Sequence, residues 1–135
     1  MLRDKYLNQP RGIRNNNPGN IRRGDNWKGM AAVQDDPDFV TFETPEDGFR
    51  AMTRILMSYR RRGVDTIEEI ISTWAPPTEN NTQAYINSVS QKMGADPQRL
   101  ITSMDYPKLL DAIAYHENGM QPWSEEIINL GISMA

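Results

Sequence analysis

The chain has 135 residues, no cysteine, a single histidine and a formal charge of −3. That is the length of one ordinary domain, with 38% apolar residues to fill a core. Without cysteine there is no disulfide framework, thiol nucleophile or thiolate metal site, and one histidine does not make a His-rich metal centre or a Ser-His pair. The acidic balance argues against nucleic acid as the partner. No apolar run is long enough to span a membrane. The expectation is one domain over residues 1–135, monomeric, without a cofactor or a metal.

The first ten residues are polar and carry no apolar signal-peptide core. The expected origin is therefore the cytoplasm, with delivery by a separate agent if the protein acts at a cell wall. From Arg11 to Gly29 the sequence is rich in Asn, Gly and Arg, and Asn15-Asn16-Asn17-Pro18-Gly19-Asn20 has strong turn chemistry. Arg11, Arg14, Arg22 and Arg23 make this a basic loop, read as solvated. Between Met30 and Phe42 short apolar pieces alternate with turn residues, and Val40 and Phe42 flank Thr41 at strand spacing. A small β-hairpin is expected there.

The rest reads as helical. Thr44-Pro45-Glu46-Asp47 supplies an N-cap, a first-turn proline and an acidic first turn. Phe49, Met52, Ile55, Leu56 and Tyr59 follow on one face, and Arg60-Arg61-Arg62-Gly63 closes the helix. Thr66-Ile67-Glu68-Glu69 is a capping-box pattern for a helix through Trp74, ended by Pro76-Pro77. A further helix is expected from Asn81 or Thr82 to Gly94, and a short one capped at Asp96-Pro97. Another runs from Tyr106-Pro107 to Asn118-Gly119, and a last one starts at Ser124. The expected class is mainly α.

Carboxylates are the natural catalysts in such a chain. Glu46, Asp47, Glu68, Glu69, Glu125 and Glu126 fall in first turns, where the helix dipole favours them. Glu117 does not. Leu110, Ile113 and Glu117 are spaced i, i+3, i+7, which puts the acid on the apolar stripe in the last turn of its helix. That position favours the proton-bearing acid that glycoside cleavage needs. Trp27, Trp74 and Trp123 can stack on sugar rings, although Trp74 reads as core. His116 is read as a surface residue.

Four blocks, in order, resemble a family of phage muralytic and virion-associated proteins related to lytic transglycosylases. They are Gly12-Ile13-Arg14-Asn15-Asn16-Asn17-Pro18-Gly19-Asn20-Ile21-Arg22; Phe42 with Gly48, Arg50, Ala51, Leu56 and Tyr59; Trp74 through Tyr85; and Ile113-Ala114-Tyr115-His116-Glu117-Asn118-Gly119. The resemblance implies a lysozyme-like fold and cleavage of the β-1,4 bond between N-acetylmuramic acid and N-acetylglucosamine. It implies Glu117 as the catalytic acid, Asn20 in a substrate-groove turn, and Thr82 and Tyr85 as a pair lining the cleft. Asn80 is a further candidate for sugar binding. In the family the glutamate helix precedes the groove turn, whereas here it follows, which implies a circular permutation. Glu43 and Glu79 are the alternative acids. The resemblance further implies release through a holin, or carriage in a virus particle, to act in the periplasm. A hydrolase of the same fold and a non-catalytic wall-binding protein are the alternatives it leaves open.

Overall fold

The computed structural model describes residues 9–78 and 80–135. The segment that bears on a signal peptide, residues 1–8, and Glu79 lie outside the described residues. The architecture is mainly helical: α1 (Arg11–Arg14), α2 (Pro45–Arg61), α3 (Ile67–Trp74), α4 (Thr82–Met93), α5 (Tyr106–Asn118) and α6 (Glu125–Met134). A 3-10 turn at Ser103–Asp105 leads into α5. None of the described helices is long and apolar enough to cross a membrane.

The helix ends follow local chemistry. The Thr44 side chain accepts from the Asp47 amide at the start of α2, and Thr66 and Glu69 form the reciprocal capping box of α3. Asn81 caps α4 and Ser124 caps α6. Gly94 and Gly119 end α4 and α5 in the left-handed conformation, with φ of 64° and 70°. The four-residue α1 escaped the sequence reading because it is too short to show a helical period.

Helix α5 is the hub. Leu109, Leu110 and Ile113 have no exposed surface, and α5 touches α1, α2, α4 and α6. The most extensive pairing is α2 against α6. Gly131 makes it possible, because a methyl group there would sit 2.5 Å from Phe49 Cβ and 2.8 Å from the Glu46 carbonyl oxygen. Trp123, just before α6, meets Phe49 edge to face with ring centroids 5.6 Å apart.

Two expected elements are absent from the described residues. Asp96-Pro97 does not start a helix. The Asp96 carboxylate accepts from the Gln98 amide at 2.8 Å and the Asp96 carbonyl from the Arg99 amide at 3.0 Å, which closes a turn instead. The β-hairpin is replaced by isolated antiparallel bridges, Arg22 with Phe39 and Met30 with Phe42. Side chains take over where a ladder would run. Gln34 donates to the Ala31 and Thr41 carbonyls at 2.9 and 2.8 Å and accepts from the Thr41 amide at 2.8 Å. Fully buried Asn17 donates to the Ile21 and Val40 carbonyls at 3.0 and 2.9 Å and accepts from the Ile21 amide at 2.9 Å. Amide side chains can satisfy backbone groups as a neighbouring strand does, so this loop needs no sheet.

The basic loop is also less free than expected. Arg11 pairs with Asp36 through two nitrogens and reaches Asp38 at 3.0 Å. Asp36 also accepts from Asn15 and from the Asp38 and Phe39 amides. The guanidinium holds the Asp36 carboxyl well below the usual carboxylate range. Arg11 and Arg22 both lie over the Phe39 ring, 4.4 and 5.3 Å from its centroid.

Candidate active site

Glu117 is the penultimate residue of α5 and is half-buried. Its Oε2 accepts a hydrogen bond from the Tyr85 hydroxyl at 2.7 Å, and its Oε1 accepts one from Asn20 Nδ2 at 3.0 Å. Both carboxylate oxygens are therefore held, by residues 32 and 97 positions away in the chain.

Tyr85 comes from α4 and is 2% exposed. Burial, first, and then the neighbouring Glu117 carboxylate push its phenol well above 10. The hydroxyl keeps its proton and acts as a donor. Asn20 is placed by the turn before it. Its own φ is 50°, in the left-handed region that Asn tolerates. At Gly19, a Cβ would come within 2.7 Å of Trp74 Cζ2 and 2.9 Å of Met52 Cε. The turn is thus pressed against α2 and the end of α3. From the other side Asn118 Nδ2 donates to the Pro18 carbonyl at 3.0 Å.

The acid opens into a cleft of about 370 Å³. The cleft is lined by Gly19, Asn20, Ile21, Arg22 and Phe39 of the N-terminal segment, Ile55 and Tyr59 of α2, Thr73 and Trp74 of α3, Ala75, Pro76 and Asn80 of the following loop, and Glu117. Among the described lining residues Glu117 is the one carboxylate. Trp74, read from the sequence as core, packs on Gly19 and also faces this cleft.

The sequence candidates separate clearly. Glu117, Asn20 and Asn80 line the cleft, and Asn80 also donates to the Pro76 carbonyl at 3.3 Å. Tyr85 meets the acid from the α4 side without lining the cleft. Thr82 does not line it either; its hydroxyl donates to the Ala75 carbonyl at 2.5 Å, which fixes the loop between α3 and α4. Glu43 is exposed and contributes backbone, its amide donating to the Gly29 carbonyl at 2.8 Å. Glu79 lies outside the described residues. Sequence reasoning missed His116, which is not a free surface group. Its ring stacks on Tyr85 with centroids 3.8 Å apart and an interplanar angle of 28°. Neither spacing nor capping signals a contact between residues of different helices. Burial lowers the His116 pKa from its usual 6.5, against the opposing pull of Glu117.

These features define a small, mainly helical protein with one hydrogen-bonded acid in a polar and aromatic cleft. No protein-family profile matches the chain. Protein P5 of Pseudoalteromonas phage PM2 is 40% identical to it over 126 residues, spanning 90% of this chain and 79% of the phage protein. The chain belongs to the family of that bacteriophage protein.

Proposed function

We propose that the protein is a peptidoglycan lytic transglycosylase with Glu117 as its single catalytic acid. The observation that carries this reading is the cleft itself, where one carboxylate is fixed through both oxygens and Phe39, Tyr59 and Trp74 supply aromatic lining. The contact between the groove turn and the acid supports a permuted, lysozyme-like arrangement. Asn20 and Glu117 stand 97 positions apart, at opposite ends of the chain, and yet meet. Membership in a family with a bacteriophage protein suits a lysin released through a holin or carried in a particle.

In the proposed reaction the Glu117 carboxyl protonates the glycosidic oxygen as the bond to C1 of N-acetylmuramic acid breaks. The N-acetylglucosamine side leaves as an alcohol. The Glu117 carboxylate then removes the proton of the muramic acid 6-hydroxyl, and O6 attacks C1 to close a 1,6-anhydro ring. The acid regains its proton and no water is consumed. Tyr85 and Asn20 keep the carboxyl aimed in both steps. A hydrolase would need a second carboxylate at a defined separation.

The test is product mass. Purified protein is incubated with peptidoglycan, and the soluble fragments are weighed for wild type and Glu117→Gln. Anhydro-muropeptides from wild type, reduced by about 10²-fold or more in the variant, are expected for a general acid. Fragments carrying an added water indicate a muramidase or glucosaminidase. Binding without any release indicates a wall-binding protein.

A further inference from the structure

We propose that the two sequence neighbours of Glu117, His116 and Asn118, are positioning residues that each anchor one of the two groups hydrogen-bonded to the acid. The inference rests on Glu117 being the working acid. Successive side chains leave an α-helix about 100° apart, so residues on either side of Glu117 must diverge from it. Here each diverging side chain ends on a different holder of the carboxylate. His116 lies face to face with the Tyr85 ring, and the Tyr85 hydroxyl donates to Oε2. Asn118 donates to the carbonyl of Pro18, two residues before Asn20, whose amide donates to Oε1.

The two holders lie 32 and 97 positions from the acid, on α4 and on the N-terminal turn. Without local anchors their positions would depend on the packing of α4 and of the loop as a whole. The His-Glu-Asn triplet instead references both to the same turn of α5. Asn118 is 7% exposed and also donates to the Ala114 carbonyl at 2.9 Å, so its amide is fixed to the helix that carries the acid. Any Cβ at Gly12 would collide with that amide, which closes the space into which it could turn. His116 is not part of the cleft lining, and its ring faces Tyr85. It therefore acts through Tyr85. Burial favours the neutral imidazole, which stacks on the phenol without bringing a charge beside it.

The experiment compares wild type, His116→Ala and His116→Phe by steady-state kinetics on peptidoglycan. The Tyr85 ring signal is followed in parallel by carbon-13 tyrosine NMR, assigned with Tyr85→Phe. Loss of the stack is expected to lower kcat about tenfold while KM stays within about twofold, because the acid is misaimed and the cleft is intact. It also shifts the Tyr85 signal. Phenylalanine, which keeps the stack, restores most of kcat and the signal. An unchanged kcat and signal in the alanine variant overturns the proposal. So does a phenylalanine variant as poor as alanine, which would give the imidazole a chemistry of its own. In the second arm, Asn118→Ala is expected to shift the Asn20 amide signals and leave Tyr85 in place; the reverse pattern overturns the division of roles. Asn118 is buried and its variant puts the fold at risk, so the His116 pair decides. If wild type leaves peptidoglycan intact, the glycan-cleavage reading fails, while the NMR arm still tests the positioning.

Discussion

Between Asn15 and Glu43 the backbone is fastened largely by polar side chains, with Ile21, Val40 and Phe42 reaching into the core, whereas from Pro45 onward the helices are fastened by their apolar faces. In the first region Asn17, Gln34 and Asp36 each satisfy several backbone or side-chain groups. In the second, Phe49, Met52, Ile67, Ile71, Leu109, Leu110 and Ile113 are fully buried against one another. Apolar burial is shared among many contacts, so it resists local loss. Polar fasteners are discrete, and removing one frees the stretch of loop it held. The cleft lies at the seam, with Asn20 from the polar region and Glu117 and Trp74 from the helical one. Asn20 is thus brought to the acid by a turn held between Trp74 and Met52 on one side and Asn118 on the other.

The largest expected effect breaks the helical side. Leu110→Ala should cost about 2–5 kcal/mol, through lost burial and a cavity at the hub helix. Thermal or urea unfolding measures it, and a loss well under that range would mean that α5 is not the hub. Gly131→Ala should cost about 1–3 kcal/mol by forcing α2 and α6 apart, read in the same unfolding experiment. Asn17→Ala strikes the polar side. It leaves the Val40 carbonyl and the Ile21 amide without a partner, while the Ile21 carbonyl keeps the Val40 amide, a loss of about 1–3 kcal/mol. Hydrogen exchange should quicken in the loop while α5 amides keep their protection. Uniform loss of protection would show that the two regions open as one.

The smallest effect is one of pH. Folding lowers the Asp36 pKa, so the unfolded chain binds the proton more readily than the folded one. The stabilisation by Arg11 is complete above the unfolded carboxyl value of about 3.9 and fades as pH falls further. The stability gap between wild type and Asp36→Asn should therefore narrow on acidification below about pH 4, as followed by melting temperature. A gap that is constant from pH 7 to pH 2 would mean that shape, not charge, is what Asp36 supplies.

What the sequence determined is what local chemistry decides. The caps at Thr44, Thr66, Asn81 and Ser124 and the stops at Gly94 and Gly119 act within one turn, so the boundaries of α2 to α6 were legible. The stripe of Leu110 and Ile113 likewise placed Glu117 at a helix end on the core-facing side. Tertiary structure alone decided what meets that acid. Asn20 and Tyr85 arrive from remote segments, His116 turns from solvent to a ring on α4, and Thr82 is drawn away to Ala75. The missing hairpin has the same origin. A strand pattern records which residues alternate inward, but not that amides of Asn17 and Gln34 would reach across to satisfy the backbone first. Periodicity carries the information of one element's own face, and the partners of a side chain are fixed only when several faces pack together.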